Sequence, residues 1–350
     1  MKRILTSLLG ALALTTAVGC GPQFDAPSEV KTLRVLGVKK DKPYAQPGDT
    51  VSLDMLWHDP KGRKDIQTLF LGGCVNPPGD LYYGCFLQFG QSAAKGMFPP
   101  FEQNKNSFQV TLPEDIISSR RDVEPGQPRY GLYIVFFAVC SGTIQLQMDA
   151  KPGEGSEGLP IVCLDKDGQA LGSDDFVVGY TSIYSFDGVS NANPTFHLDD
   201  DGKGSFSVAG GKDIVADCVG AACQGAAAVE VDCKETPERC VAPCDDDGDP
   251  SCPAIEVKPA IDVQQERDAV SSELFKNEVT EQMWINYYVD HGGISDARLL
   301  NDTNSGWNSE YRAQLRAPKD AGPVQVWAVI HDNRGGMDFA RVTLGVTSPK

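Results

Sequence analysis

The sequence predicts an all-β chain built from two antiparallel β-sandwiches, and three observations carry this. Short apolar runs with period-2 alternation recur along the chain, Val51, Leu53, Met55 and Trp57 being one face of such a run. Turn signals such as Pro47-Gly48-Asp49 separate the runs roughly every ten residues. Helical periods are few. With 350 residues and 41% hydrophobic content, the chain has apolar material for two cores, so domains are expected over 31–190 and 191–350.

In the first domain, Leu33, Val35 and Gly37 alternate with Arg34, Leu36 and Val38 as an opening strand, and residues 51–57 form the next. Ile66 to Leu71 is a third. It runs into the turn-rich Cys74-Val75-Asn76-Pro77-Pro78-Gly79, a loop that Cys85 can close. Residues 108–112 read as a strand and 113–121 as at most one helical turn. The run Tyr130 to Cys140 is apolar on both faces, which marks a central strand covered on both sides. Gly and Glu make 151–158 a surface loop. Ile161-Val162-Cys163 follows, with Cys163 placed to bridge back to Cys140. Phe176 to Phe186 closes the domain as a strand pair, and the polar 189–194 is the boundary.

The second domain opens with a short strand around the turn Asp199-Asp200-Asp201-Gly202. Residues 211–254 hold six cysteines and few large apolar side chains, so this insertion lacks a core of its own and needs cross-links. Strands are expected at 254–263, 283–289, 311–315, 324–330 and 339–346, with 264–280 a loop or one short helix. The last two strands form a hairpin across His331-Asp332-Asn333-Arg334-Gly335-Gly336, whose Asp, Asn and Gly suit positive-φ turns.

The N-terminus has an export pattern. Lys2 and Arg3 precede an apolar and small-residue run over 4–17, too short to span a bilayer, and then Ala17-Val18-Gly19-Cys20. This junction resembles the lipobox of bacterial lipoproteins. The resemblance implies a signal peptide over 1–19 and cleavage before Cys20, which becomes the acylated first residue. Residues 20–30 then serve as a tether. Gly21 in place of an inner-membrane retention aspartate resembles the outer-membrane default. Export also accounts for the sulfur. Eleven cysteines less Cys20 leave ten: Cys74, Cys85, Cys140, Cys163, Cys218, Cys223, Cys233, Cys240, Cys244 and Cys252. They fall into a group of four and a group of six, both even, which predicts up to five disulfides closed within each region. Connectivity among the six stays open, with fifteen possibilities. Their spacings and the absence of histidine among them disfavour zinc.

At the level of pattern, Trp327 to Gly336 resembles the last hairpin of Ig-like domains in surface lipoproteins of myxobacteria and related bacteria. The opening residues Leu33 to Leu36 with Pro47 to Val51, and the run Trp284 to Gly292, resemble the same domains. The resemblance implies Ig-like sandwiches over most of 31–190 and 255–346. It implies no activity and no catalytic residues.

Charge narrows the function classes. The formal charge is −17; loss of Lys2 and Arg3 with the signal leaves 29 cations against 48 acids, or −19. Such a surface repels nucleic acid and anionic headgroups, so membrane contact is expected only through the lipid on Cys20. No nucleophile elbow, zinc-protease helix or phosphate loop is present. His58-Asp59 and His331-Asp332 are sequence neighbours, which on a strand point to opposite faces and form no dyad. No catalytic residue and no cofactor is therefore assigned. Weak calcium binding is the remaining ligand idea, at Asp199 and Asp201 or at Asp245, Asp247 and Asp249, against the plainer alternative of acidic surface turns. Trp307, in a polar loop, is the aromatic expected to be exposed and available for contact. The expectation is a lipid-anchored envelope protein with a non-catalytic binding or structural role, contacting a protein or glycan through its sandwich loops. The alternatives are an accessory lipoprotein of an outer-membrane secretion, motility or export complex, or a hydrolase with a site hidden between the domains.

Overall fold

The computed structural model describes residues 26–93, 100–120, 128–146, 161–208, 212–245, 251–262, 264, 266–302 and 306–347. The expected signal peptide over 1–19, Cys20, Asp247 and Asp249 lie outside them.

The first half contains β1 (Arg34–Lys40), β2 (Thr50–His58), β3 (Gln67–Val75), α1 (Gly84–Ala93), β4 (Phe101–Gln103), β5 (Ser107–Thr111), β6 (Tyr130–Cys140), β7 (Thr143–Leu146), β8 (Ile161–Leu164) and β9 (Phe176–Phe186). The sheet β1-β2-β5 packs on the sheet β4-β3-β6-β9, with Leu53, Met55, Phe70, Phe108, Val135 and Ile183 in the core between them. β6 is central, as its two apolar faces require. Tyr133, Val135 and Val139 fill the sandwich, while the opposite face is covered in two pieces. Leu132, Ile134 and Phe136 lie under α1, which contributes Cys85 and Phe89. Ala138 and Cys140 lie under the β7–β8 hairpin, which contributes Ile144, Ile161 and Cys163. The bridges Cys74–Cys85 and Cys140–Cys163 pin these two covers to the sheet. One element differs from expectation: Phe176–Phe186 is one eleven-residue strand rather than a pair, in register with all of β6.

The second half contains β10 (Ser205–Val208), β11 (Lys212–Val215), β12 (Cys218–Val219), β13 (Cys240–Val241), β14 (Ile255–Pro259), α2 (Ala269–Phe275), β15 (Met283–Val289), β16 (Gly293–Ile294), β17 (Arg298–Leu299), β18 (Asn301–Asp302), β19 (Gly306–Trp307), β20 (Ala313–Arg316), β21 (Gly322–Asp332) and β22 (Met337–Val346). Sheet β11-β10-β14-β20-β16 faces sheet β12-β22-β21-β15-β17. Phe206, Val257, Leu315, Ile285, Tyr287 and Val326 meet between them. The protein is thus all-β with sandwich packing.

The cysteine-rich insertion is held by three sequential bridges, Cys218–Cys223, Cys233–Cys240 and Cys244–Cys252. Cross-links are not its only support. β12 and β13 both pair with β22, covering an edge that would otherwise present unpaired backbone. Buried Arg341 on β22 donates to the carbonyls of Ala226 and Ala227, and Arg239 donates to Asp217 at 2.9 Å.

Candidate functional site

β21 and β22 explain how the two sandwiches meet. On β21, Val324, Val326, Ala328 and Ile330 point into the second core, whereas Trp327 and Val329 point out of it. The outward pair joins Phe339, Leu36, Leu56 and Val30 in a separate buried cluster between the halves. The Trp327 ring lies 4.5 Å from that of His58, and Lys39 pairs with Asp338 at 2.8 Å across the seam.

The β21–β22 loop closes the seam at one end. Asp332 and Arg334 are buried, so this hairpin is a clasp and not an exposed recognition loop. The Asp332 carboxylate accepts from the Arg334 and Gly336 amides at 2.8 and 2.7 Å and from Asn191 Nδ2 at 2.9 Å. Gly335 holds φ at +86°, which favours glycine. Arg334 donates to Glu266 at 3.0 Å and to Glu281. From the segment joining the halves, Asn193 donates to the Lys40 carbonyl and accepts from the Met337 amide.

Beside the clasp lies a cleft of about 500 Å³ lined by β1, β9 and the hairpin, with Lys40, Tyr180, Trp284, His331 and Asp332 on its walls. The Lys40 ammonium donates to the Ser182 carbonyl at 2.8 Å, and burial lowers its pKa to about 8. Burial, with the Lys40 charge adding to it, lowers His331 to about 4. The His331 ring stacks on Trp284 at 5.1 Å, so it is a neutral, packed side chain at neutral pH. Burial raises the Glu281 carboxyl above its ordinary range. This is where a hydrolase hidden between the domains would sit. There Asp332 is engaged by its own turn and by Asn191, and among the described residues no hydroxyl is hydrogen-bonded to His331.

The sequence-assigned residues scatter. Asp199 Oδ1 accepts from the Asp201 and Lys203 amides at 3.0 and 2.7 Å, capping its own turn. Asp245 is exposed next to the bridged Cys244. Among the described residues no group of three or more His, Cys, Asp or Glu is arranged to hold a metal ion. Trp307 is half-buried against the second core, edge-on to Tyr311 at 6.4 Å, which corrects its expected exposure.

A cluster of exposed tyrosines lies elsewhere, on the outer face of the first sandwich. Tyr82, Tyr83 and Tyr180 are 43%, 55% and 49% exposed, with Leu81 and Val178 also exposed. Tyr82 stacks on Tyr180 at 4.9 Å, and Tyr180 leans on buried Phe136 at 6.1 Å. The patch exists because α1 covers only part of the β6–β9 face. Its sequence signal was the pair Tyr82-Tyr83 between two turn-formers; the missing signal was Tyr180, a strand residue that reads as core.

The expected tether also behaves differently from expectation. Residues 26–30 dock on the end of β15, where Val30 N–H donates to the Val289 carbonyl at 2.8 Å and Val289 N–H to the Ser28 carbonyl at 2.9 Å. Ser28 Oγ donates to the Ile294 carbonyl at 2.8 Å, and Val30 is fully buried.

No protein-family model matches the chain, and no curated protein does. Sixteen chains of solved structures match. One is the native conformation of E. coli alpha-2-macroglobulin, seen by cryo-EM, with 9% sequence identity and a TM-score of 0.18. The match covers 91% of this chain but only 17% of that one, and a score so low assigns no shared fold.

Proposed function

We propose that this chain is a lipid-anchored cell-envelope protein with a non-catalytic role, contacting an envelope protein or a surface glycan through the tyrosine patch of its first sandwich. The observation that carries the proposal is that patch. Tyr82 of the turn before α1 stacks on strand residue Tyr180, with Tyr83 edge-on beside it; half-exposed tyrosines offer large contact area, and contiguous apolar patches on a folded surface mark interaction sites. Five disulfides support synthesis for an oxidising compartment. The lipobox-like junction at Cys20 supports attachment to the outer membrane. The engaged Asp332 and stacked His331 support a structural rather than catalytic seam.

The test is capture from detergent-solubilised envelope, comparing wild type with the triple variant Tyr82→Ala, Tyr83→Ala, Tyr180→Ala. Loss of a captured protein or glycan, with an unchanged melting temperature, is the expected result. Equal capture by both proteins refutes the patch. A stoichiometric membrane-protein partner selects the accessory subunit of an export or motility complex over a free surface binder.

A further inference from the structure

The docked segment 26–30 has a consequence for where the bilayer lies, resting on the acylation of Cys20 proposed above. Glu29 makes a parallel bridge to Val289, and Val30 enters the seam cluster beside Leu36 and Trp327. Arg34 donates to the Pro27 carbonyl, fixing the turn by which the chain arrives. Only residues 20–25 separate the thioether from this docked stretch. Covalent geometry caps six residues at about 20 Å. Were residues 26–32 undocked, the fold would begin at buried Leu33 and the reach would be about 45 Å.

We infer that residues 26–30 are a strap that shortens the lipid leash and turns the loops around Pro60, His291 and Pro318 toward the bilayer. Those loops and Glu29 line one cleft of about 660 Å³ at the strap. The opposite end of the second sandwich is turned away. β15 runs from Val289 at the strap to Met283 beside Asp332, about 20 Å at ~3.3 Å per residue, and the α2 loop with exposed Phe275 lies beyond it. The occupant of the strap end is the lipid surface because the chain leads there and is too short to reach elsewhere.

The acylated full-length chain on a supported phosphatidylethanolamine–phosphatidylglycerol bilayer at low salt provides the test. The acidic protein is repelled by the anionic surface, so the leash is drawn out and the gap seen by neutron reflectometry reads its length. Wild type is expected at no more than about 20 Å. Val30→Asp, which evicts the strap, is expected to approach about 45 Å. Six Gly-Ser residues inserted between Pro22 and Gln23 leave the fold untouched and are expected to give about 40 Å. A wild-type gap near about 45 Å, or an insertion without effect, overturns the strap while leaving the lipid intact. Wild type that washes off with Cys20 unmodified by mass overturns the strap and the lipid anchor together.

Discussion

Replacing Trp327 with alanine is expected to unlock the two sandwiches from each other while leaving each one folded. Trp327 is 1% exposed, yet it belongs to neither sandwich core; it fills the seam with Val30, Leu36, Leu56, Val329 and Phe339 and packs on His58. Truncating a buried Trp costs about 3–5 kcal/mol through lost transfer energy and the cavity left behind. That cost falls on the docked state alone, because Val326 and Ala328 keep filling the inner face of the same strand. At ~1.4 kcal/mol per tenfold, the ratio of docked to undocked molecules falls by about two to three and a half orders of magnitude. Scanning calorimetry is the assay. One transition in wild type is expected to split into two, with amides of Leu36 and Leu56 losing exchange protection and those of Ile285 and Val135 keeping it. Val326→Ala, which opens a cavity inside the second sandwich, is the control. If Trp327→Ala melts in one transition and lowers stability in the same manner as the control, the separation of seam from core is wrong.

Stability is expected to fall with acid through His331. Its folded pKa of about 4 lies below the ordinary 6.5, so the unfolded chain takes the proton first. The contribution is complete above pH 6.5 and lost as pH drops toward 4, at most about 3 kcal/mol; urea midpoints at pH 4.5 and 7 should differ less in His331→Phe. Arg334→Met leaves buried Glu281 and the Asp332 turn without their cation. A loss of about 3–5 kcal/mol is expected in chemical denaturation, and a loss under 1 kcal/mol would count against the clasp. The double variant Cys140→Ser, Cys163→Ser opens a loop of sequence separation 23 and detaches the β7–β8 cover from β6. It is expected to cost about 3 kcal/mol, measured as a shift of the denaturation midpoint at constant pH.

Much of the strand set was legible because alternation is local. Met283–Val289 is a strand over the predicted residues, and the doubly apolar 130–140 is central in its sheet. The six cysteines of the insertion pair in sequence order, at separations of 5, 7 and 8, so short loops decided what counting alone left among fifteen choices. The tyrosine patch was not legible. Trp307 sits in a polar stretch yet packs on the second core, while Tyr180 sits on a strand yet faces outward beyond the reach of α1. Local polarity reports what flanks a side chain in sequence, and exposure depends on what arrives from elsewhere.

By itself the sequence determined the all-β character, the number of sulfur pairs and the absence of recognised catalytic motifs, because each follows from composition, spacing or a period of two. The tertiary structure alone decided that the hairpin at Asp332 is buried, that Val30 and Trp327 share a seam, and that residues 26–30 are docked. A strand pattern states which residues need covering; what covers them is settled only when segments up to some 300 positions apart, such as Lys39 and Asp338, come into contact.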